Sequence, residues 1–174
     1  MIRQTLLFVM ILLSGSTFAQ STSSFYEKMQ KQLYVNVAAD VSTRSKGYNT
    51  LGVDIQMGWK LSPNFLAYAV CNGGRTLYEK DEVKDHMQHC NLGGGLGYRQ
   101  KLSGEHESID YKASVSTSVG NNGWKNTTYD VGVLYRFPSR GVSPQLGIGY
   151  RYYDSRTSGV KDHGCVYASI GFSL

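Results

Sequence analysis

Proline and cysteine are scarce in this chain, at 3 residues each of 174, and charged residues make up only 18%. Glutamate and alanine are sparse, which leaves little material for long helices. The sequence contains no phosphate-binding loop, dinucleotide fingerprint or other cofactor motif. It has no long basic run either: Lys+Arg 18 and Asp+Glu 13, net +5, are scattered along the chain, so nucleic-acid binding is not expected. Apolar stretches long enough to cross a bilayer as a helix are missing, since that needs roughly 20 residues. What remains is rich in glycine (20) and tyrosine (13), with 41% hydrophobic residues. That composition fits neither a disordered nor a collagen-like chain. It points to strands, and the length suits a single domain.

The first segment reads as a leader. Arg3 gives a positive start, Leu6 to Leu13 an apolar core, and Ser14-Gly15-Ser16-Thr17-Phe18-Ala19 a small-residue exit. Residues 1–19 are therefore expected to be a secretory signal peptide, cut between Ala19 and Gln20. No cysteine follows the exit, so lipoprotein attachment is not expected. Cleavage leaves 155 residues and, with Arg3 gone, a net charge of +4. Residues 20–32 form a short polar segment in which Phe25, Met29 and Leu33 recur every four positions. It reads either as one or two helical turns or as a loose tail.

From Leu33 the period becomes two, and residues 33–174 read as eight alternating strands. Val35, Val37, Ala39 and Val41 alternate with Tyr34, Asn36, Ala38 and Asp40. Leu51, Val53, Ile55, Met57, Trp59 and Leu61 oppose Gly52, Asp54, Gln56, Gly58 and Lys60 in the cleanest run. The others are Phe65 to Asn72, whose facing is ambiguous, Cys90 to Arg99, Ile109 to Val119, Thr127 to Phe137, Pro144 to Tyr153 and Val166 to Leu174. Most have roughly the 9 to 11 residues that a tilted strand needs to cross a bilayer, longer than the usual soluble strand of about 5 to 6. Connections after the even strands are short. Several after the odd strands are longer, notably Gly73 to His89 and Asp154 to Gly164, which is the asymmetry of an outer-membrane barrel.

Alternation alone does not say which face is outside. The polar rows carry Asp40, Asp54, Asp110 and Asp130 with Lys60, Arg99, Lys112, Arg136 and Arg151. Inside a narrow barrel such charges must pair, and the inventory allows it. Glycines share these rows and leave room for the arginine and lysine stems. Trp59, Tyr98, Tyr111, Tyr135, Phe137 and Phe172 lie near the short-turn ends of the apolar rows, as an interfacial aromatic girdle would. Tyr48, Tyr129, Tyr150 and Tyr152 are expected to serve the other interface. The fold expected is all-β: an eight-stranded antiparallel up-and-down transmembrane β-barrel.

The Ala19-Gln20 exit, two copies of G-x-G-Y-R (Gly95 to Arg99 and Gly147 to Arg151) and the terminus Ala168 to Leu174 carry a resemblance. Over Leu33 to Leu174 the chain resembles the small eight-stranded outer-membrane barrels of OmpX and OmpA-barrel type, and more closely the outer-membrane β-barrel domain proteins of Bacteroidota. Such barrels often end in an aromatic residue; here Leu174 is last and Phe172 stands two residues earlier. The resemblance implies an outer-membrane location with both termini periplasmic. It implies outer-membrane lipids, lipopolysaccharide and the barrel insertion machinery as partners of a monomer, and an extracellular protein or surface ligand for the loops.

Cys71 and Cys90 close the ends of neighbouring strands, and a disulfide between them is expected if Cys71 points to the same side as Cys90. Closing so long a loop is worth about 3 kcal/mol in the chain-entropy model. Cys165 reads as a free, small apolar residue. Asp85, His86, His89 and Cys90 share one loop without the paired short spacing of a zinc site, so solvated histidines are expected and no metal or cofactor.

Three functions remain open. The first is a barrel with a structural, adhesive or surface-interaction role and no open pore, since eight strands enclose room only for side chains. The second is a lipid-modifying enzyme of acyltransferase or deacylase type. For it the only candidates are Ser118 and His163, and no H-x-S arrangement lies on a strand. The third is a soluble, lipocalin-like periplasmic binding domain. No catalytic residues are assigned. With the chain ending at the last strand, no anchoring to the cell wall is expected.

Overall fold

A computed structural model describes residues 32–174 apart from 81–82, 103–106 and 140. The expected leader, 1–19, and the segment 20–31 lie outside the described residues. Eight strands follow in order: β1 Leu33–Ser42, β2 Asn49–Lys60, β3 Phe65–Lys80, β4 Val83–Lys101, β5 Ser108–Ser118, β6 Asn126–Arg136, β7 Ser143–Ser155 and β8 His163–Ser173. Each pairs antiparallel with its neighbour in sequence, and β1 pairs with β8, so the sheet closes into a barrel. Closure is carried past the last strand by the Leu174 amide, which donates to the Val35 carbonyl at 2.9 Å. A closed barrel leaves no sheet edge unpaired.

The faces are inverted relative to a water-soluble sheet. Apolar residues look outward, with Leu51 63%, Leu96 65%, Ile148 60% and Ile170 64% exposed, while Asp110 and Asn91 are at 0% and Arg151 at 3%. A continuous exposed apolar belt of this extent is not a surface that water tolerates well. Among the described residues no helix is long and apolar enough to cross a membrane. The facing left open by sequence is resolved in β3: Leu66, Tyr68, Val70 and Asn72 are buried inward, and Phe65 and Ala69 are exposed outward.

Two strands outrun the expectation. The segment Gly73 to His89, read as a loop, is mostly ladder: pairing of β3 with β4 continues from Gly73↔Cys90 to Lys80↔Val83. Within this ladder Gly74 is small for a packing reason. A Cβ there would meet the Leu51 carbonyl oxygen at 2.8 Å and His89 Cε1 at 2.9 Å.

Large inward side chains face glycine across the ladder: Tyr34↔Gly58, Tyr68↔Gly95 and Tyr167↔Gly149. The lumen of eight strands is too narrow for bulk on both sides. The space is filled by tyrosine rings more than by the arginine and lysine stems anticipated from sequence. A Cβ on Gly149 would lie 2.5 Å from the Tyr167 ring. Gly149→Val is therefore expected to cost about 1–3 kcal/mol by overpacking. Urea unfolding of the refolded protein measures it, and Tyr167→Ala in the same chain should recover most of the loss.

Candidate functional site

The polar rows converge inside the barrel into two charge clusters. Nearer the long-loop end, Arg151 is held by three carboxylates: Nε to Asp130 at 2.7 Å, Nη1 to Asp40 at 3.0 Å and Nη2 to Asp54 at 2.7 Å. Tyr167 donates to the other oxygen of Asp130 at 2.9 Å and places its ring 4.5 Å from the guanidinium. Asn72 donates to Asp54 and its carbonyl oxygen faces His89 Nε2 at 3.0 Å. The alternation of β1, β2, β6 and β7 brings these four charges from four strands to one level.

Nearer the short-turn end, Arg99 grips Asp110 through two parallel bonds of 2.7 Å, the bidentate geometry that guanidinium and carboxylate favour. Lys112 bonds no carboxylate among the described residues. It donates to the Tyr34 hydroxyl and, at 2.9 Å, to Gln56 Oε1, with its ammonium 5.0 Å from the Tyr34 ring centroid. Arg136 is buried beside this cluster, and Lys60 lies at the mouth, half-buried on the inward register. The nine charged residues picked out by sequence thus all fall on the inward register, split between two levels. Tyr34, Gln56, Tyr68 and Tyr167 complete those levels and were not singled out by charge. Their signal was register: each is a bulky or polar inward residue, and glycines stand opposite three of them.

Above the Arg151 cluster the long-loop end is closed by an aromatic cap. Trp124, in the connection 119–125, is fully buried and donates through Nε1 to Ser155 Oγ at 3.1 Å. Its ring stacks on His163 at 5.6 Å and lies 4.8 Å from Tyr153; on the far side of His163, Tyr48 stacks at 4.6 Å. His89 meets Trp124 edge-on at 5.4 Å. Tyr48, expected at the lipid interface, is instead packed into this cap. A tryptophan inside an otherwise glycine- and asparagine-rich connection was the available sequence signal. Backbone bonds tie the loops together, Trp124 N to the Gln88 carbonyl at 3.1 Å and Arg156 N to the Lys125 carbonyl at 2.8 Å. Trp124→Ala is expected to loosen them while the barrel stays closed. Limited proteolysis of the folded protein should then cut within 119–125 and 156–162, where the parent chain resists.

Outside, Trp59, Phe65, Tyr98, Tyr111, Phe137 and Phe172 are exposed near the short-turn end, with Tyr135 partly so. Phe65 and Tyr98 touch edge-on at 5.3 Å, and Tyr135 and Phe137 at 4.9 Å. Tyr129 and Tyr152, 6.5 Å apart, are exposed toward the other end.

Cys71 and Cys90 share the outward face and lie on neighbouring strands, two residues out of direct register: Cys71 is opposite Leu92, and Cys90 opposite Gly73. Both are free thiols, as is the buried Cys165. The residues with a metal-like spacing diverge, because His89 points into the lumen while Asp85 and His86 are exposed on the hairpin. Asp85 accepts from the His86 amide and the Tyr78 hydroxyl, and these bonds hold its carboxyl below the usual carboxylate range. No group of three His, Cys, Asp or Glu side chains suited to a metal occurs among the described residues. Ser118 donates to Asn91 at 2.9 Å, while His163 Nδ1 sits 3.0 Å from the Lys161 carbonyl oxygen. No hydrogen bond joins the two.

Neither a protein-family model nor a curated protein sequence matches the chain. Solved structures do. The crystal structure of Neisserial surface protein A (NspA) superposes with a TM-score of 0.54 at 17% identity, covering 82% of this chain and 94% of that one. That of the outer membrane enzyme PagL gives 0.52 at 13% identity, covering 80% and 98%. At these identities the likeness establishes the fold alone, a closed β-barrel shared with an outer membrane enzyme and a surface protein. It does not reach the Bacteroidota family that the sequence patterns resembled.

Proposed function

We propose that the chain is a non-conducting outer-membrane barrel whose capped loops form a structural or adhesive surface. In this reading the short turns and both termini are periplasmic, the aromatic rows sit at the two lipid interfaces, and the outward belt meets lipid and lipopolysaccharide. The observation that carries it is the filled interior. Two hydrogen-bonded charge clusters and the tyrosines between them occupy the lumen, and Trp124 with its neighbours stoppers the outer mouth. The loops are thereby held in one arrangement, which suits recognition by a partner better than passage of a solute. Surface protein NspA shares the fold, which supports this reading. PagL shares it too, but Ser118 and His163 here bond to separate partners, so the surface role is preferred over lipid modification.

Planar-bilayer recording tests it. Refolded protein should insert without stepwise conductance, and an epitope placed at 81–82 should be reachable on intact cells. Stable open channels, or an epitope reached only after the outer membrane is broken, would defeat the reading.

A further inference from the structure

The outward face of the β6–β7 ladder changes chemistry step by step toward the long loops. Val131 stands opposite Tyr150, Tyr129 opposite Tyr152, and Thr127 opposite Asp154. The next outward step lies just past the two strands. There the Arg156 amide donates to the Lys125 carbonyl at 2.8 Å and the Lys125 amide to Thr157 Oγ1 at 2.8 Å, which sets Lys125 and Arg156 opposite each other. Apolar, aromatic, polar and cationic pairs thus follow in order. A bilayer leaflet passes in the same order from hydrocarbon, through its interface, to charged headgroups.

Like charges directly opposite on a ladder destabilise it, yet two backbone-anchored bonds hold this pair together. Both side chains are exposed, and neither joins an ion pair among the described residues. Two carboxylates lie near. Asp154, two residues before Arg156 on the same face, bonds neither cation; Arg156 Nη2 donates instead to Thr117 Oγ1 at 2.7 Å and to the Asn126 carbonyl at 3.1 Å. Asp162 accepts from the Ser155 amide at 2.8 Å, and its carbonyl takes the Lys46 ammonium. Arg156 is therefore laid against the outer wall over β5, with the rest of its guanidinium and the Lys125 ammonium lacking an acceptor among the described residues. A phosphate suits such a pair: its several oxygens take a guanidinium and an ammonium at once.

We propose that Lys125 and Arg156 together bind the phosphate of a lipid headgroup in the outer leaflet, with the chains of that lipid running past Tyr129 and Tyr152. The site rests on the reading of the outward belt as lipid-facing. The continuity of the cationic pair with the aromatic and apolar steps below it favours a phosphate carried on acyl chains over a free one.

Electron spin resonance tests this on the refolded barrel in phosphatidylcholine vesicles, with chain-labelled phosphatidic acid and chain-labelled phosphatidylcholine as probes. Lipid touching the wall is immobilised, and phosphatidic acid should show the larger immobilised fraction. Lys125→Gln and Arg156→Gln should each lose part of that excess, and the double variant nearly all of it. Arg75→Gln, which removes an exposed cation from the outward row of β3 toward the same end, should keep it. Equal fractions for the two probes would overturn the proposal and leave the belt lipid-facing. An excess that Arg75→Gln lowers as much would be general charge attraction, and one that inorganic phosphate removes at matched concentration would belong to a free anion; either result also overturns it. If neither probe shows an immobilised fraction, the belt does not meet lipid, and the site falls with that reading.

Discussion

Arg151→Met is expected to destabilise the barrel by at least about 3–5 kcal/mol, the usual loss when one partner of a buried ion pair is removed. The methionine fills most of the arginine's volume, so the effect is electrostatic rather than steric. It strands Asp40, Asp54 and Asp130 together, each having lost its 2.7–3.0 Å bond to the guanidinium. Arg99→Met strands only Asp110 and should cost less. Urea titration of the refolded proteins, followed by the mobility shift between folded and heat-denatured bands, separates the two. Converting Asp40, Asp54 and Asp130 to asparagine in the Arg151→Met chain should restore much of the loss, because the stranded charges are then gone. Failure of that rescue would mean that the arginine acts by packing against Tyr167, and the charge account of the lumen would be wrong.

This cluster also shows how far the sequence could be read. Period two put Asp40, Asp54, Asp130 and Arg151 on inward rows, and the alternation of β1, β2, β4, β5, β6, β7 and β8 is as their side-chain types suggest. Which charges meet depends on register between strands, and register is set by contacts that no single strand contains. Lys112, with Asp110 two residues away on its own strand, instead reaches across the lumen to Tyr34 of β1. The facing of β3 was hidden because its inward residues Leu66, Tyr68 and Val70 are as apolar as its outward ones. They pack with Tyr34 into a small apolar layer, made possible by the glycines of β4 opposite them. The length of the β3–β4 hairpin was not legible because the pairing from Gly73↔Cys90 to Lys80↔Val83 belongs to two segments together and to neither alone, and the cap was not legible because the connections that hold Tyr48 and Trp124 lack any period to read.

The inverted faces make the second large effect one of lipid rather than of the interior. Ile148 stands outward on β7 between Leu146 and Tyr150, opposite Val133 on β6 and Ala168 on β8, and is 60% exposed. If the belt meets hydrocarbon, Ile148→Arg places a charge near mid-membrane and should cost about 2–4 kcal/mol in lipid vesicles. In a soluble sheet the same change at so exposed a position would alter stability by no more than about 0.5 kcal/mol. Thr117→Arg, on the outward row of β5 near the long loops, provides the depth control and should cost about 0–1 kcal/mol. The two substitutions add the same charge to the same barrel wall. A large penalty at Ile148 with a small one at Thr117 therefore reports a depth profile that only a bilayer imposes, whereas equal small penalties would remove the belt from the membrane and the proposed location with it.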